Sequence, residues 1–395
     1  MVQPAPNDPT DISAPYLRAA HIQPNGRRLD LPEQTMWFSP AELRSLELRA
    51  GDVAIVEGGA GFGRSTYLEE DLTGWGFQNS IVRVRPDAHL SDGRFINYAL
   101  QSALVHGEIA VACNLATLPH FTAEKVAAFS IPAPQVETQS AVADYLDRET
   151  AEIDAFIADQ EKLIELLIER RAAAWQKLID EAVPPLLPLR RVIKSIVDGP
   201  FGSSLSSKHY SDSGTRVIRL GNVGINEFKR EDEAYIPSDY GAELSAHQAV
   251  TGDVIVAGLG DDRMPLGRAA VVPEIGPAIV KADCFRVRPN ELTTGPYLAW
   301  ALSSPGVGSR MRTASRGSTR QRLNTTVVRE ILVPVPDLEM QSLLLARSRA
   351  TTAQLDATIA EARQAIALSK ERRAALISAA VTGKIDVREH GKVNA

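Results

Sequence analysis

Between residues 309 and 329 the chain carries Arg310, Arg312, Arg316, Arg320, Arg322 and Arg329 and no acidic residue. Interleaved with them are Ser315, Gly317, Ser318, Thr319, Gln321 and Asn324. Arginine forks match phosphate oxygens and guanine edges, hydroxyls suit phosphates, and Gln and Asn amides match adenine edges. Together they make the side-chain set of a loop that reads double-stranded DNA. The same run also suits a solvated basic loop, or one that pairs with an acidic surface elsewhere in the chain.

Two glycine-bearing turns raise a second kind of chemistry. Residues 58–65 run Gly-Gly-Ala-Gly-Phe-Gly-Arg-Ser, and residues 258–263 run Gly-Leu-Gly-Asp-Asp-Arg. A nucleotide-cradling loop needs a lysine ahead of the serine to reach the β and γ phosphates, and here the position holds Arg64. Turns that let backbone approach another group closely fit the glycines better. Arg64, Ser65 and Arg263 on these turns join the DNA-contact candidates, as do Thr117 and His120 in the stretch that matches the basic run in the first half. No catalytic constellation emerges. The seven histidines include no metal-spaced pair, and Cys113 and Cys284 lack the neighbours of a zinc site or disulfide framework.

Such loops need elements to position them, and the longest are two proline-poor spans. From residue 135 to 183, and from 337 to the end, no proline occurs. Apolar residues recur at three- and four-residue steps: Leu146, Ile153, Phe156, Leu163 and Leu167 in the first span, Leu355, Ile359, Ala362 and Ile366 in the second. That spacing predicts two long helices whose apolar stripes face each other as an antiparallel coiled coil.

The two spans are copies. A shift of 202 lays Pro132 and Pro134 on Pro334 and Pro336, Gln139-Ser140 on Gln341-Ser342, and residues 169–173 on 371–375, both Glu-Arg-Arg-Ala-Ala. The repeat extends upstream: Gly51-Asp52-Val53 matches Gly252-Asp253-Val254, and Arg83-Val84-Arg85-Pro86 matches Arg286-Val287-Arg288-Pro289. The expected order is a globule (residues 1–130), a long helix (131–185), a second globule (186–332) and a second long helix with its tail (333–395). The fold class is α+β: two pseudo-twofold-related mixed domains separated by two long antiparallel helices. Under the shift, the tail after Gly383 takes the position of the entry into the second globule. It is expected to complete the first globule, with the chain termini close together.

The net charge of −6 conceals a gradient: −7 over residues 131–185 but +4 over 186–335. An acidic total therefore does not exclude nucleic acid. With no apolar run of spanning length and no signal-peptide pattern, the expectation is a cytoplasmic protein without a membrane partner.

The duplicated order, the Pro-x-Pro and Gln-Ser entry to each long helix, the Glu-Arg-Arg near its end, Asp198-Gly-Pro-Phe-Gly-Ser-Ser204, Tyr16-Leu-Arg-Ala-Ala20 and Val381-Thr-Gly-Lys-Ile-Asp386 together resemble the DNA-specificity subunit of type I restriction-modification systems. The resemblance covers nearly the whole chain, although the first globule has no copy of the Gly-Pro-Phe-Gly loop. It implies two target recognition domains, each reading half of a split DNA site. It implies no catalysis in this chain. The expected partners are double-stranded DNA, two modification (methyltransferase) subunits and restriction (endonuclease) subunits. S-adenosylmethionine, ATP and magnesium would belong to those subunits. A reading from another class, a non-catalytic coiled-coil scaffold whose globules bind proteins, predicts no salt-dependent DNA affinity.

Overall fold

The computed structural model describes residues 3–30, 33–113, 119–261, 264–315 and 321–387, with only the backbone described at position 203. Two compact units emerge: residues 1–161 with 363–395, and residues 162–362. Each long helix contributes to both.

In the first unit, β1 (Ile12–Leu17) pairs antiparallel with β2 (Thr35–Phe38), which leads through Ser39 into the short α1 (Pro40–Ser45). The next strand, β3 (Val53–Val56), is the centre of a second sheet between β4 (Ser65–Tyr67) and β6 (Ile81–Val84), while β5 (Gly76–Phe77) runs parallel to β1. All four residues of β3 are buried, because both of its faces are covered. On one side lie α2 (Gly93–Val105), α3 (Glu108–Ala112) and α4 (Ala123–Ala128). The first long helix, α5 (Val136–Ala182), then follows.

The second unit repeats this plan with more sheet. β7 (Leu186–Pro188) and β8 (Ile193–Val197) precede β9 (Thr215–Ile218), β10 (Tyr235–Ile236), α6 (Ser238–Glu243) and β11 (Gln248–Ala249). The counterpart of β3 is β12 (Val254–Ala257), flanked by β13 (Ala269–Val271) and β15 (Cys284–Pro289). β14 (Ala278–Val280) runs parallel to β9. The unit continues through α7 (Gly295–Leu302), α8 (Pro305–Ala314), α9 (Thr325–Glu330) and β16 (Leu332–Pro334), which pairs with β7. The second long helix, α10 (Leu338–Val381), follows and leads into a short tail.

The repeated sequence motifs turn out to be the frame. Asp52 accepts both prongs of the Arg85 guanidinium at 2.7 Å, and Asp253 accepts both prongs of Arg288 at 2.8 Å. Each carboxylate is buried and also caps a backbone N–H three residues before it. At the head of each long helix a buried glutamine ties three segments together. Gln139 donates to Leu90 O and Pro134 O and accepts from Asp92 N, while Gln341 donates to Leu292 O and Pro336 O and accepts from Thr294 N. Gly93 and Gly295 open α2 and α7 where a Cβ would lie 2.5 Å from the carbonyl oxygens of Gly51 and Gly252, so only glycine permits that approach.

The long helices run antiparallel in each unit. In the first, Leu146 packs with Ile377 and Ala380, while Asp154 meets Arg373 at 3.1 Å. In the second, Arg171 meets Asp356 at 2.8 Å and Leu178 packs with Leu344. Partner numbers fall on one helix as they rise on the other. The stripe on α5 differs from the expected one in detail. Leu146 and Ile153 are buried and Leu167 half-buried, but Phe156 and Leu163 are 44% and 37% exposed. Their neighbours Ile157, buried, and Ile164, half-buried, take the seam instead. A strict alternation of four- and three-residue steps from Leu146 reaches 150, 153, 157, 160, 164 and 167, which is the heptad solution. On α10, Ile359 and Ala362 are buried and Leu355 and Ile366 half-buried, and the partner of Leu146 lies further along the helix than those positions.

The tail docks where the shift predicts. Val387 is buried with Phe95, Tyr98 and Val142 in the core of the first unit, and Ile385 packs against the same group. Met1 and Ala395 lie outside the described residues.

Candidate nucleic-acid interface

One end of the β12–β15 sheet gathers four segments of the second unit. Leu323 N donates to Gly258 O at 2.9 Å, and Arg322 pairs with Leu259 as an isolated bridge, so residues 321–323 close against the turn after β12. The Asp198 carboxylate accepts from Gly199 N at 2.7 Å and Asp283 N at 2.9 Å, binding the Gly-Pro-Phe-Gly loop to the turn before β15. Arg322 completes the group. Its Nε donates to Asp283 Oδ1 at 2.8 Å, and its guanidinium lies 5.5 Å from the centre of the exposed Phe201 ring. Burial pushes the Asp198 carboxyl up to about 6, against the opposing effect of its two N–H donors; the Asp283 carboxylate raises it further and Arg322 lowers it.

Beside this group stands a cation and aromatic cluster that no linear pattern announced. Tyr210 receives a hydrogen bond from Lys281 Nζ at 3.1 Å, with that ammonium 5.4 Å and the Arg219 guanidinium 6.0 Å from its ring centre. Tyr210, Lys281 and Arg219 come from three separate segments, so only the fold assembles them. The exposed Phe201 ring can stack on a base or sugar, while the cations around the half-buried Tyr210 can hold phosphates.

The residues expected from sequence divide. Arg322 sits in this group, and Gln321 precedes it with its carbonyl facing Gly260 N at 3.4 Å. Arg310, on α8, donates to Leu332 O at 3.0 Å, and Arg312, in the last turn of α8, lines a cavity against α5. Asn324 does structural work: its Oδ1 accepts Val327 N at 2.8 Å and caps α9. Arg316, Ser318, Thr319, Arg320 and Arg263 lie outside the described residues, as does Thr117.

In the first unit the same closure recurs, with Phe121 N donating to Glu57 O at 2.8 Å. His120 is 55% exposed there, and its Nδ1 lies 3.6 Å from Glu57 Oε1. Ser65 does not belong to any reading surface. Its side chain is buried and donates to Asn97 Oδ1 at 2.7 Å, because the residue after the turn begins β4 and points into the sheet's helical cover. Arg64 faces a cavity shared with α2 and α10. The frame is thus duplicated, whereas the loops it carries at corresponding places differ in length, charge and aromatic content.

No family model matches the chain. Among curated proteins it is 20% identical, over 327 residues, to the type I restriction enzyme MjaVIII specificity subunit of Methanocaldococcus jannaschii, covering 78% of this chain and 74% of that one. It is 21% identical over 204 residues to the StySPI specificity subunit of Salmonella potsdam, an alignment that takes in 52% of this chain and 43% of the relative. Among solved structures, a chain from work on complex assembly and conformational transition of the type I R-M system superposes with a TM-score of 0.61 at 16% identity, over 96% of this chain and 94% of the other.

Proposed function

We infer that this chain, a specificity subunit of the type I restriction-modification family, reads a two-part DNA sequence, one part with each globule. The carrying observation is the contrast within the duplication. Residues that recur, such as Asp52 and Asp253, Arg85 and Arg288, or Gln139 and Gln341, hold the frame. The loops set on that frame do not recur: Phe201, Tyr210, Lys281 and Arg322 cluster in one half, and His120 with Glu57 marks the other. Two different reading surfaces on one frame suit an asymmetric, split site. Arg322 and Lys281, together with Arg316 and Arg320, supply phosphate and guanine contacts, and the exposed Phe201 ring supplies stacking.

In this reading the chain contributes sequence selection to a type I complex. Methyl transfer and cleavage reside in two modification subunits and in restriction subunits, which bring S-adenosylmethionine, ATP and magnesium. The exposed face of α5 at Phe156 and Leu163, free of the seam, is available to such partners.

Co-expressing the chain with its modification subunits and sequencing methylated adenines tests the proposal. The expected product is a two-part motif with an unread centre, and exchanging residues 198–210 and 316–322 for those of another specificity subunit should alter one part only. A contiguous motif, or alteration of both parts, would refute the division of labour. Binding that does not weaken with salt would favour a protein-binding scaffold.

A further inference from the structure

The two units carry the same cavity, built from corresponding residues. In the first it is about 130 Å³, between the start of β4, α2 and the last turns of α10, with Arg64, Gln101, Ser102, Lys370, Arg373 and Ile377 on its wall. In the second it is about 170 Å³, with Arg268, Ser303, Ser304, Ile168, Arg171 and Trp175 in the matching places. The match rests on geometry. Gly63 N donates to Val56 O at 2.9 Å and Gly267 N to Ala257 O at 3.0 Å, both glycines are left-handed, and each is followed by the arginine.

In the second unit the cations are already engaged. Arg268 is buried and donates to Val223 O at 2.6 Å, Leu259 O at 3.0 Å, Pro265 O at 3.2 Å and Leu220 O at 3.2 Å. Arg171 pairs with Asp356 at 2.8 Å.

The first unit keeps the matching ion pair, Arg373 with Asp154, but not the anchoring of Arg268. The turn before Arg64 spans residues 57–62, three fewer than residues 258–266, and it is this longer turn that supplies the Leu259 and Pro265 carbonyls to Arg268. Among the described residues, neither Arg64 nor Lys370 makes a side-chain hydrogen bond or ion pair. Lys370 stands where the second unit has Ile168, and Ile377 stands where Trp175 stacks on Trp300 at 5.6 Å, so one exchange adds charge and the other removes a ring. Arg373 is 5% exposed, with long contacts of 3.4 Å to Gln101 Oε1 and 3.3 Å to Asn25 O. Its Nε lies 3.1 Å from Asp154 Oδ1, close enough for an ion pair but without hydrogen-bond alignment. Three cations thus answer one carboxylate.

We propose that the cavity of the first unit binds the phosphate of a small phosphate monoester. Arg373 is buried, Arg64 part-buried and Lys370 exposed, so the cavity wall carries cations in excess of their counter-ion and favours an anion there. The surplus of two positive charges matches a monoester, which carries about −1.5 to −2 at neutral pH, better than a singly charged diester. Arg64 and the α10 pair Lys370 and Arg373 come from different segments, an arrangement suited to a tetrahedral oxyanion; one arginine fork would suffice for a planar carboxylate. The Ser102 hydroxyl and Gln101 amide on the same wall are further donors.

Inorganic phosphate titrated into the full chain, against chloride at equal ionic strength, tests this by thermal unfolding and calorimetry. Saturable stabilisation is expected. Lys370→Ile, which installs the residue of the second unit, should weaken phosphate binding at least about tenfold, and Arg64→Gln should do likewise. Absence of a saturable response, or wild-type affinity in either variant, would overturn the proposal. A short duplex without terminal phosphates that competes as well per site as inorganic phosphate would reassign the cavity to DNA backbone and also overturn it. Sequence-specific methylation, read separately, reports on the DNA reading independently of these results.

Discussion

Replacing Asp198 with asparagine perturbs the anchor beneath the candidate reading surface while keeping its shape. The carboxyl is held up at about 6 by burial, against 3.8 for an unperturbed aspartate, so the folded state holds its proton more tightly than the unfolded chain. Stability from this group is therefore present at low pH and is lost as pH rises through 6. At ~1.36 kcal/mol per decade the ceiling is ~3 kcal/mol, and the part-exposed position reduces it to about 1–2 kcal/mol. An asparagine Oδ1 can still accept from Gly199 N and Asp283 N, and it carries no charge to desolvate. Denaturant unfolding at pH 4.5 and 7.5 should show the variant and wild type nearly equal at the lower pH, with the variant more stable by about 1–2 kcal/mol at the higher. A variant that is less stable at pH 7.5, or a difference independent of pH, would show that the two N–H donors compensate the buried charge completely and that the reasoning is wrong.

Three further outcomes are expected. Arg322→Ala should either flatten the salt dependence of DNA binding by about one phosphate contact or cost ~1–3 kcal/mol at one base position, as measured by binding across salt and across single-base variants of the site. Leu146→Ala should cost about 2–5 kcal/mol in unfolding experiments, whereas Phe156→Ala should stay within about 0.5 kcal/mol in the isolated chain and weaken assembly with modification subunits. Gly295→Ala should lower stability by about 1–3 kcal/mol, because its Cβ would meet the Gly252 carbonyl; an unchanged melting temperature would mean that α7 shifts freely.

The sequence by itself determined the duplication, the alternation of globule and helix, and the antiparallel sense of the helices. Long proline-free spans at coiled-coil spacing admit few other solutions, and a repeat carried by Gly-Asp-Val, Arg-x-Arg-Pro and Gln-Ser at shifts of 201 to 203 needs no structure to be seen. Which residue of an adjacent apolar pair faces the seam was not legible. Phe156 and Ile157 are equally apolar, as are Leu163 and Ile164, and only packing against the second helix over the full heptad selects the isoleucines. The role of the repeated motifs was also decided by tertiary structure. Asp52 meets Arg85, and Asp253 meets Arg288, only because β3 pairs antiparallel with β6 and β12 with β15. The same holds for the candidate sites. Arg322 could be found as part of a basic run, but Tyr210, Lys281 and Arg219 share no local pattern, and Ser65 beside Arg64 looked equally available. The strand that starts at Ser65 turns its hydroxyl inward, and the fate of Arg64 depends on the length of a turn and on a helix some 300 residues away in sequence.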